Sequence, residues 1–507
     1  MSIQVVPSAR TFLATGLLGL VLSFHCGGGG SGSTTPPPPP TPVGPHLSTV
    51  PGPQAGYPGD TVTFRVVADG TGNSYQWLRN GSTISGATAD TYALPVQLTD
   101  DQAHYSVRVT ASGGGVTTSP DALLDVLRAY PAVVCGQDHT LAITTKGLVY
   151  AWGYNGHGQL GVGDNQPRQI PTVVPLPGPA VQLAAGWGHS MALLADGRVF
   201  AWGYNGDGEL GDGTLTSRTS PAPVPGLVNI IAIASGYYHA FAYASGSAAW
   251  IWGYNNFGQL GLNDTVTRTS PQPIAVGPLL DLAMGRSHTL IVTNTGALLG
   301  CGDNTYGSLG QPASMNSTAT FMTIYGSGVA GVRTCNYSSV YVSSTGQPFV
   351  TGENVYGGLG DNTYTTRYGF WPMNLAALPA GSTLSAVVPG VWHTFQVTTQ
   401  GAVTATGYNY HGQLGLGAAT PTSYVSPQLV PGLTAAGIYA GYQSSFAVMP
   451  DLSVKAWGYN SNGRLGDGTT TDRNSPTTLV GFSLGPVPTG VPGVRVGAKD
   501  LDRRPAL

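Results

Sequence analysis

Residues 181–194 read VQLAAGWGHSMALL, two short apolar runs divided by Gly186, Trp187 and Gly188. Each run has the length of a strand and is too short for an amphipathic helix. Ala195, Asp196 and Gly197 then make a tight turn, where glycine supplies the positive φ that a hairpin requires. In residues 198–205, Val199, Ala201 and Gly203 alternate with Phe200, Trp202 and Tyr204, so this third strand buries one face and much of the other. The expectation is three antiparallel strands, at 181–186, 189–194 and 198–205, followed by a long loop through Pro221 and Val224.

The same pattern recurs along residues 130–485 with a period of about 50. One landmark reads WGYNGHGQLG from Trp152, WGYNGDGELG from Trp202, WGYNNFGQLG from Trp252, CGDNTYGSLG from Cys301, TGENVYGGLG from Thr351, TGYNYHGQLG from Thr406 and WGYNSNGRLG from Trp457. A second landmark, Gly-x-x-His, precedes each; its histidines are His139, His189, His239, His288 and His393, with Ser338 and Ser444 in copies five and seven. One such sheet cannot bury its own faces, whereas seven stacked around an axis can, and closing the ring removes the long edges. The expected fold is all-β, a seven-bladed β-propeller over 129–485, closed by pairing residues 476–482 with the first blade.

These landmarks resemble the repeats of the regulator of chromosome condensation family, and the resemblance implies seven-bladed propellers that bind rather than catalyse. Copies four to six depart from it by losing the tryptophan, at Cys301, Thr351 and Thr406, which puts packing at those blades in question. The resemblance also implies a contrasting function, guanine-nucleotide exchange on a GTPase. An export signal and the lack of a basic tail stand against that.

Upstream, residues 45–127 alternate apolar and polar positions in short runs such as TVTFRV from Thr61 and YSVRV from Tyr105, the pattern of a small β-sandwich. The segment resembles an immunoglobulin-like domain, with Trp77 as core tryptophan and Asp101-x-Ala103-x-Tyr105 as the tyrosine corner. Val66 and Val107 stand where that family often places bridging cysteines, so aliphatic packing closes the core.

The first 26 residues change the picture again. Arg10 precedes an apolar run at 12–24, too short to span a bilayer and of signal-peptide length. Cys26 follows, then a Gly/Ser tract and Pro36 to Pro40. This resembles a bacterial lipoprotein signal over 1–26, in which Cys26 is acylated and anchors the chain to a membrane; an ordinary cleaved signal is the alternative. Residues 27–44 form a linker and 486–507 a tail. The expected location is the cell envelope if Cys26 is acylated, or the exterior if it is not.

Charged residues make up 8% of the 507 and the formal net charge is −3, so no basic patch invites nucleic acid. Cys135, Cys301 and Cys335 fall in no metal-binding spacing, and their pairing is open. The chain has two glutamates, Glu209 and Glu353, and no GxSxG or HExxH motif, so the reading is not an enzyme and takes no metal or cofactor. A polysaccharide-active propeller is the remaining enzymatic alternative. Residues repeated in register mark needs of the blade, and the five histidines are assigned backbone hydrogen bonds rather than a metal ring.

Function is therefore sought where the frame varies. The two-residue inserts of Gly-x-x-His and of Asn-x-x-Gly lie at one end of each blade, with the hairpins Lys146-Gly147, Asp196-Gly197 and Thr295-Gly296 at the other. The first insert supplies Trp187, Tyr237, Tyr238, Tyr337, Trp392 and Tyr442; the second supplies Phe257, Tyr306, Tyr356 and Tyr410. Such rings are enriched at binding hot spots, though they also pack between loops. The expectation is an exported monomer that binds a protein or glycan through this face. The export reading is checked by mass spectrometry: the mature chain should lack residues 1–25, and Cys26→Ser should release it from membranes if the cysteine is acylated.

Overall fold

A computed structural model describes residues 2–4, 42–56, 61–96, 100, 103–126 and 132–485. The apolar run at 12–24, Cys26, most of the linker, Asp101 and the 486–507 tail lie outside the described residues. Two compact units divide between residues 127 and 128.

The smaller unit, within 42–126, holds a six-stranded sheet and two two-stranded ones. Trp77 is fully buried in its core together with Phe64, Val66, Tyr105 and Val107. Phe64 stacks on Tyr105 at 4.8 Å, and the Trp77 indole N–H donates to the Ala89 carbonyl at 2.9 Å. Val66 and Val107 thus close the core as aliphatic residues. The Tyr105 hydroxyl donates to the Asp100 carboxylate at 3.5 Å, and Asp100 also pairs with Arg79 at 2.7 Å.

The larger unit is a ring of seven sheets, each built on four strands consecutive in sequence, with Ser2–Gln4 added as a fifth to the fourth sheet. In blade two they are Ala180–Ala185, His189–Leu194, Val199–Gly203 and Arg218–Pro223. The first strands line the axis and the fourth face outward. Strands two and three are wholly buried in this blade. The fourth strand is the segment the sequence reads as loop. Its Pro221 and Pro223 lack an N–H, which only an outer edge tolerates, and a bulge between Ala201 and Gly203 interrupts its register. Ser2–Gln4 pair antiparallel with residues 281–283 of blade four, although an export signal covering them would be absent from the mature chain.

Ring closure differs from expectation. Arg473–Ser483, which contains 476–482, pairs with Ser453–Gly458 of its own blade rather than with blade one. Blade seven meets blade one as every other pair of blades meets, through side chains and loop hydrogen bonds. The Gly468 N–H donates to the Gln169 carbonyl at 2.9 Å, the same link that Gly163 makes to Thr219 and Gly213 to Thr269. Trp152 packs edge-on against Phe446 and Phe482, and one apolar cluster joins Val133 and Ala142 to Val448 and Leu484.

The repeated landmarks explain these seams. The indole N–H groups of Trp152, Trp202, Trp252 and Trp457 each donate, at 2.9 Å, to a carbonyl in the Gly-x-Leu-Gly turn of the preceding blade. Where tryptophan is missing, a smaller polar group faces the turn: Cys301 Sγ reaches Gln259 at 3.4 Å, the Thr351 hydroxyl lies 2.8 Å from Gly307 and 2.9 Å from Arg367, and the Thr406 hydroxyl lies 3.2 Å from Gly357 and 2.8 Å from Tyr424 of its own blade. The vacated volume is filled from the outer strand. A Cβ at Gly261 would lie 2.4 Å from Phe321, and one at Gly310 2.4 Å from Phe370, where Gly211 meets the Trp252 ring in an intact seam.

The five histidines bond to side chains of the next blade, not to backbone. Nε2 of His139, His189, His239, His288 and His393 lies 2.8–3.0 Å from the hydroxyls of Ser190, Ser235, Thr289, Ser339 and Ser445. Each hydroxyl spends its single proton on a carbonyl, such as Ser190 on Gln159 at 2.8 Å, so each histidine is the donor and its Nδ1 is bare. Each imidazole is buried at the foot of its landmark glycine; a Cβ at Gly186 would sit 2.2 Å from Cε1 of His189. Burial pushes all five imidazoles down to about 3. The folded form thus refuses a proton that the unfolded chain takes near pH 6.5, so this stability is complete above that pH and is lost as pH falls toward 3. Urea denaturation at pH 7, 6 and 5 should show propeller stability falling on acidification, and His288→Gln should flatten the slope by about 1.4 kcal/mol per pH unit. Parallel slopes for variant and wild type would contradict the assignment.

Candidate functional site

The seven repeated asparagines prepare the variable loops. In each copy the Asn side-chain oxygen accepts from the leucine N–H of Gly-x-Leu-Gly at 2.9–3.1 Å, as Asn155 does from Leu160. The Asn155 amide also donates to the carbonyls of Asp164 and Gln166 at 2.8 and 3.0 Å. With the loop held at both ends, its two insert residues are free to vary.

Strand pairing puts both inserts on one face. His189 at the start of strand two pairs with Gly203 at the end of strand three, and the equivalent pair recurs in every blade, from His139 with Gly153 to Ser444 with Gly458. The hairpins lie at the other end, where Leu193 pairs with Val199. All ten candidate aromatics therefore share a face. Tyr410 is 60% exposed, Tyr306 40% and Phe257 38%. Trp187, Tyr237, Tyr238, Tyr337, Tyr356, Trp392 and Tyr442 are half-buried.

These rings touch across blade boundaries. Trp187 lies 5.8 Å from Tyr238 and 5.3 Å from His157 of blade one. Tyr306 meets Tyr337 at 4.8 Å, Tyr356 meets Trp392 at 5.4 Å, and Trp392 meets Tyr442 at 5.1 Å. Sequence reasoning missed a third set, the landmark tyrosines themselves. Tyr204 packs edge-on against Trp187 at 5.2 Å, Tyr254 against Tyr238 at 6.0 Å, and Tyr408 against Trp392 at 5.7 Å. Their signal was present as the Tyr of Gly-Tyr-Asn, but repetition in register made them read as frame. Asp303 and Glu353 take that position in blades four and five, so the tyrosine set is broken there.

Two arcs result, one from Tyr154 and His157 to Phe257 and one from Tyr356 to Tyr459. Arg286 stands between the first arc and the Tyr306–Tyr337 pair, its guanidinium 5.9 Å from the Tyr238 ring and 5.3 Å from the Tyr337 ring. Between blades five and six, where Ser338 replaces histidine, a small hollow is lined by Glu353, Tyr356, Trp392 and His393. Oε2 of Glu353 accepts from the Trp392 indole at 3.4 Å, and burial raises this carboxyl.

Set against this geometry, residues 131–321 match the family described as the RCC1-like domain. The repeats are similar to those of an RCC1-like propeller. The ultraviolet-B receptor UVR8 of Arabidopsis thaliana is 30% identical over 231 residues, 44% of this chain and 49% of the receptor. The probable E3 ubiquitin-protein ligase HERC6 of Homo sapiens is 34% identical over 210 residues, 39% of this chain and 19% of the ligase. The chain thus spans half or less of these relatives. Among solved structures, yeast RCC1 (Prp20) bound to Kap60 superposes with a TM-score of 0.59 at 16% identity, covering 66% of this chain and 84% of that one. Human WBSCR16 gives 0.54 at 21%, covering 66% and 91%. These likenesses establish the RCC1-like propeller fold.

The other glutamate, Glu209, is fully buried where other copies have Gln159, Gln259 and Gln413. Its Oε2 accepts from the Asp207 N–H at 2.9 Å, as the Gln159 carbonyl oxygen does from His157. Burial raises its carboxyl to about 8, so at neutral pH it is a protonated mimic of glutamine. An acid raised in the folded state costs stability as pH climbs from its unfolded value near 4.5 to 8. Glu209→Gln should therefore stabilise the propeller at pH 8, the gain shrinking by about 1.4 kcal/mol per pH unit toward pH 5. Denaturation curves at the two pH values check this; a pH-independent difference would refute it.

Proposed function

We propose that this chain is a binding scaffold whose propeller recognises a protein or glycan through the aromatic face. The observation that carries the reading is the contiguity of the rings: residues that vary from copy to copy are aromatic in blade after blade and touch across the seams. Partly exposed tryptophan and tyrosine in such numbers supply large contact area at small entropy cost. Single exposed rings are ordinary; connected arcs of rings at one end of a rigid scaffold are the form of an interface.

In this proposal the chain is exported and held to a membrane through acylated Cys26. The sandwich is immunoglobulin-like and sets the propeller away from the anchor, with the Gly/Ser and Pro-rich linker as tether. The receptor and ligase roles of the relatives belong to proteins much longer than the matched part. A regulatory role through protein binding is the common ground.

The test is a pull-down from cell-envelope extract with the purified chain, followed by affinity measurement on the captured partner. Trp187→Ala combined with Trp392→Ala should weaken binding by more than about 2 kcal/mol while leaving the unfolding transition of the propeller in place. Undiminished binding by the double variant would assign these rings to packing.

A further inference from the structure

We infer that the aromatic face takes a carboxylate, that Arg286 grips it, and that the ligand is an acidic segment of a protein. This rests on the binding-face reading above and goes beyond it by naming the chemistry of the partner.

Eight of the nine arginines in the described propeller make an ion pair within the chain, among them Arg168 with Asp164, Arg333 with Asp281 and Arg464 with Asp138. Arg286 is the exception among the described residues. It is half-buried, and its guanidinium rests between the rings of Tyr238 and Tyr337 without an ion pair, Glu353 being near enough to feel its charge but not to bond it. A charge drawn partly out of water without a counter-ion is costly, and a guanidinium tolerates this better than an ammonium because it is weakly hydrated and stacks on aromatic faces. The two rings fix the plane of the fork while leaving its N–H groups to a ligand.

Its place in the ring matters as much. The first insert residues follow the innermost strands and are linked blade to blade at the mouth of the axis. The Tyr237 N–H donates to Gly285 at 3.1 Å, and the Arg286 N–H to Asn336 at 3.0 Å. Tyr237, which flanks Arg286, carries a buried hydroxyl without a partner, a second donor beside the guanidinium, whereas the unpartnered Asn336 amide oxygen is an acceptor and does not serve a carboxylate. A bidentate carboxylate matches the guanidinium fork.

Charge complementarity selects the ligand class. The same face carries Asp207 in the second insert of blade two and Glu353 in place of a landmark tyrosine. A polyuronide, with a charge on every sugar, would set carboxylates against both. A protein segment with one Asp or Glu between apolar residues places charge at Arg286 and apolar groups on the rings.

The experiment selects a displayed library of random peptides on the purified full chain, with Arg286→Met and the Trp187→Ala/Trp392→Ala variant in parallel, and titrates oligogalacturonate separately. Peptides enriched on the wild type should carry an acidic residue flanked by apolar ones. Arg286→Met should weaken the best of them at least about tenfold, and changing its acid to the amide should have the same effect with no further loss when the two are combined. Enriched peptides that bind wild type and Arg286→Met alike would overturn the carboxylate assignment and leave the face standing. Tight binding of oligogalacturonate through Arg286 would overturn the protein ligand. Enrichment no better than on the double tryptophan variant would sink both readings.

Discussion

Everything in the propeller hangs on one hydrogen bond at the blade seam, in which a donor on strand three reaches a turn carbonyl of the blade before it. That bond fixes the distance at which neighbouring sheets can pack, because the donor's side chain is also the wedge between them. Tryptophan does both tasks at once in four blades. In the other three the tasks are divided. Cys301, Thr351 and Thr406 keep a polar group facing the turn, while Phe321 and Phe370 fill the space at two of those seams from a different strand.

Much of this was legible in the sequence, for a physical reason. Residues that serve every blade recur with the period of the blade, so Trp202, His189, Asn205 and the Gly-x-Leu-Gly turn announce both the fold and their own role as frame. What escaped reading was whatever does not repeat or does not alternate. The outer strand Arg218–Pro223 carries two prolines and little apolar pattern, since its far side faces water, and it passed for loop. The closing blade looked as if it needed a special pairing because the sequence cannot show that a side-chain seam is enough. The histidine bond was placed on backbone because its partner hydroxyl lies about a repeat away, on another blade.

The candidate site was legible by subtraction. Once the frame is set aside, ten of the 28 insert positions that remain on the face are aromatic. The subtraction also removed too much. Tyr204, Tyr254 and Tyr408 repeat in register and yet lie against the variable rings, so they are frame and surface together. Arg286 was hidden for a simpler reason: as one arginine in a chain poor in charge it carries no pattern, and only the pairing of its eight counterparts makes it distinctive.

The seam between blades seven and one is built like the other six, from side chains and loop bonds with no shared strand, and that has a consequence for how such a ring can arise and vary. Nothing in the closed ring records where the polypeptide enters or leaves it. Gene rearrangements that start the chain at another hairpin, or that exchange one blade for a copy of its neighbour, keep every seam intact so long as seven copies remain. The ring therefore constrains the number of repeats tightly and their order hardly at all, leaving the inserts on its face to diverge one blade at a time.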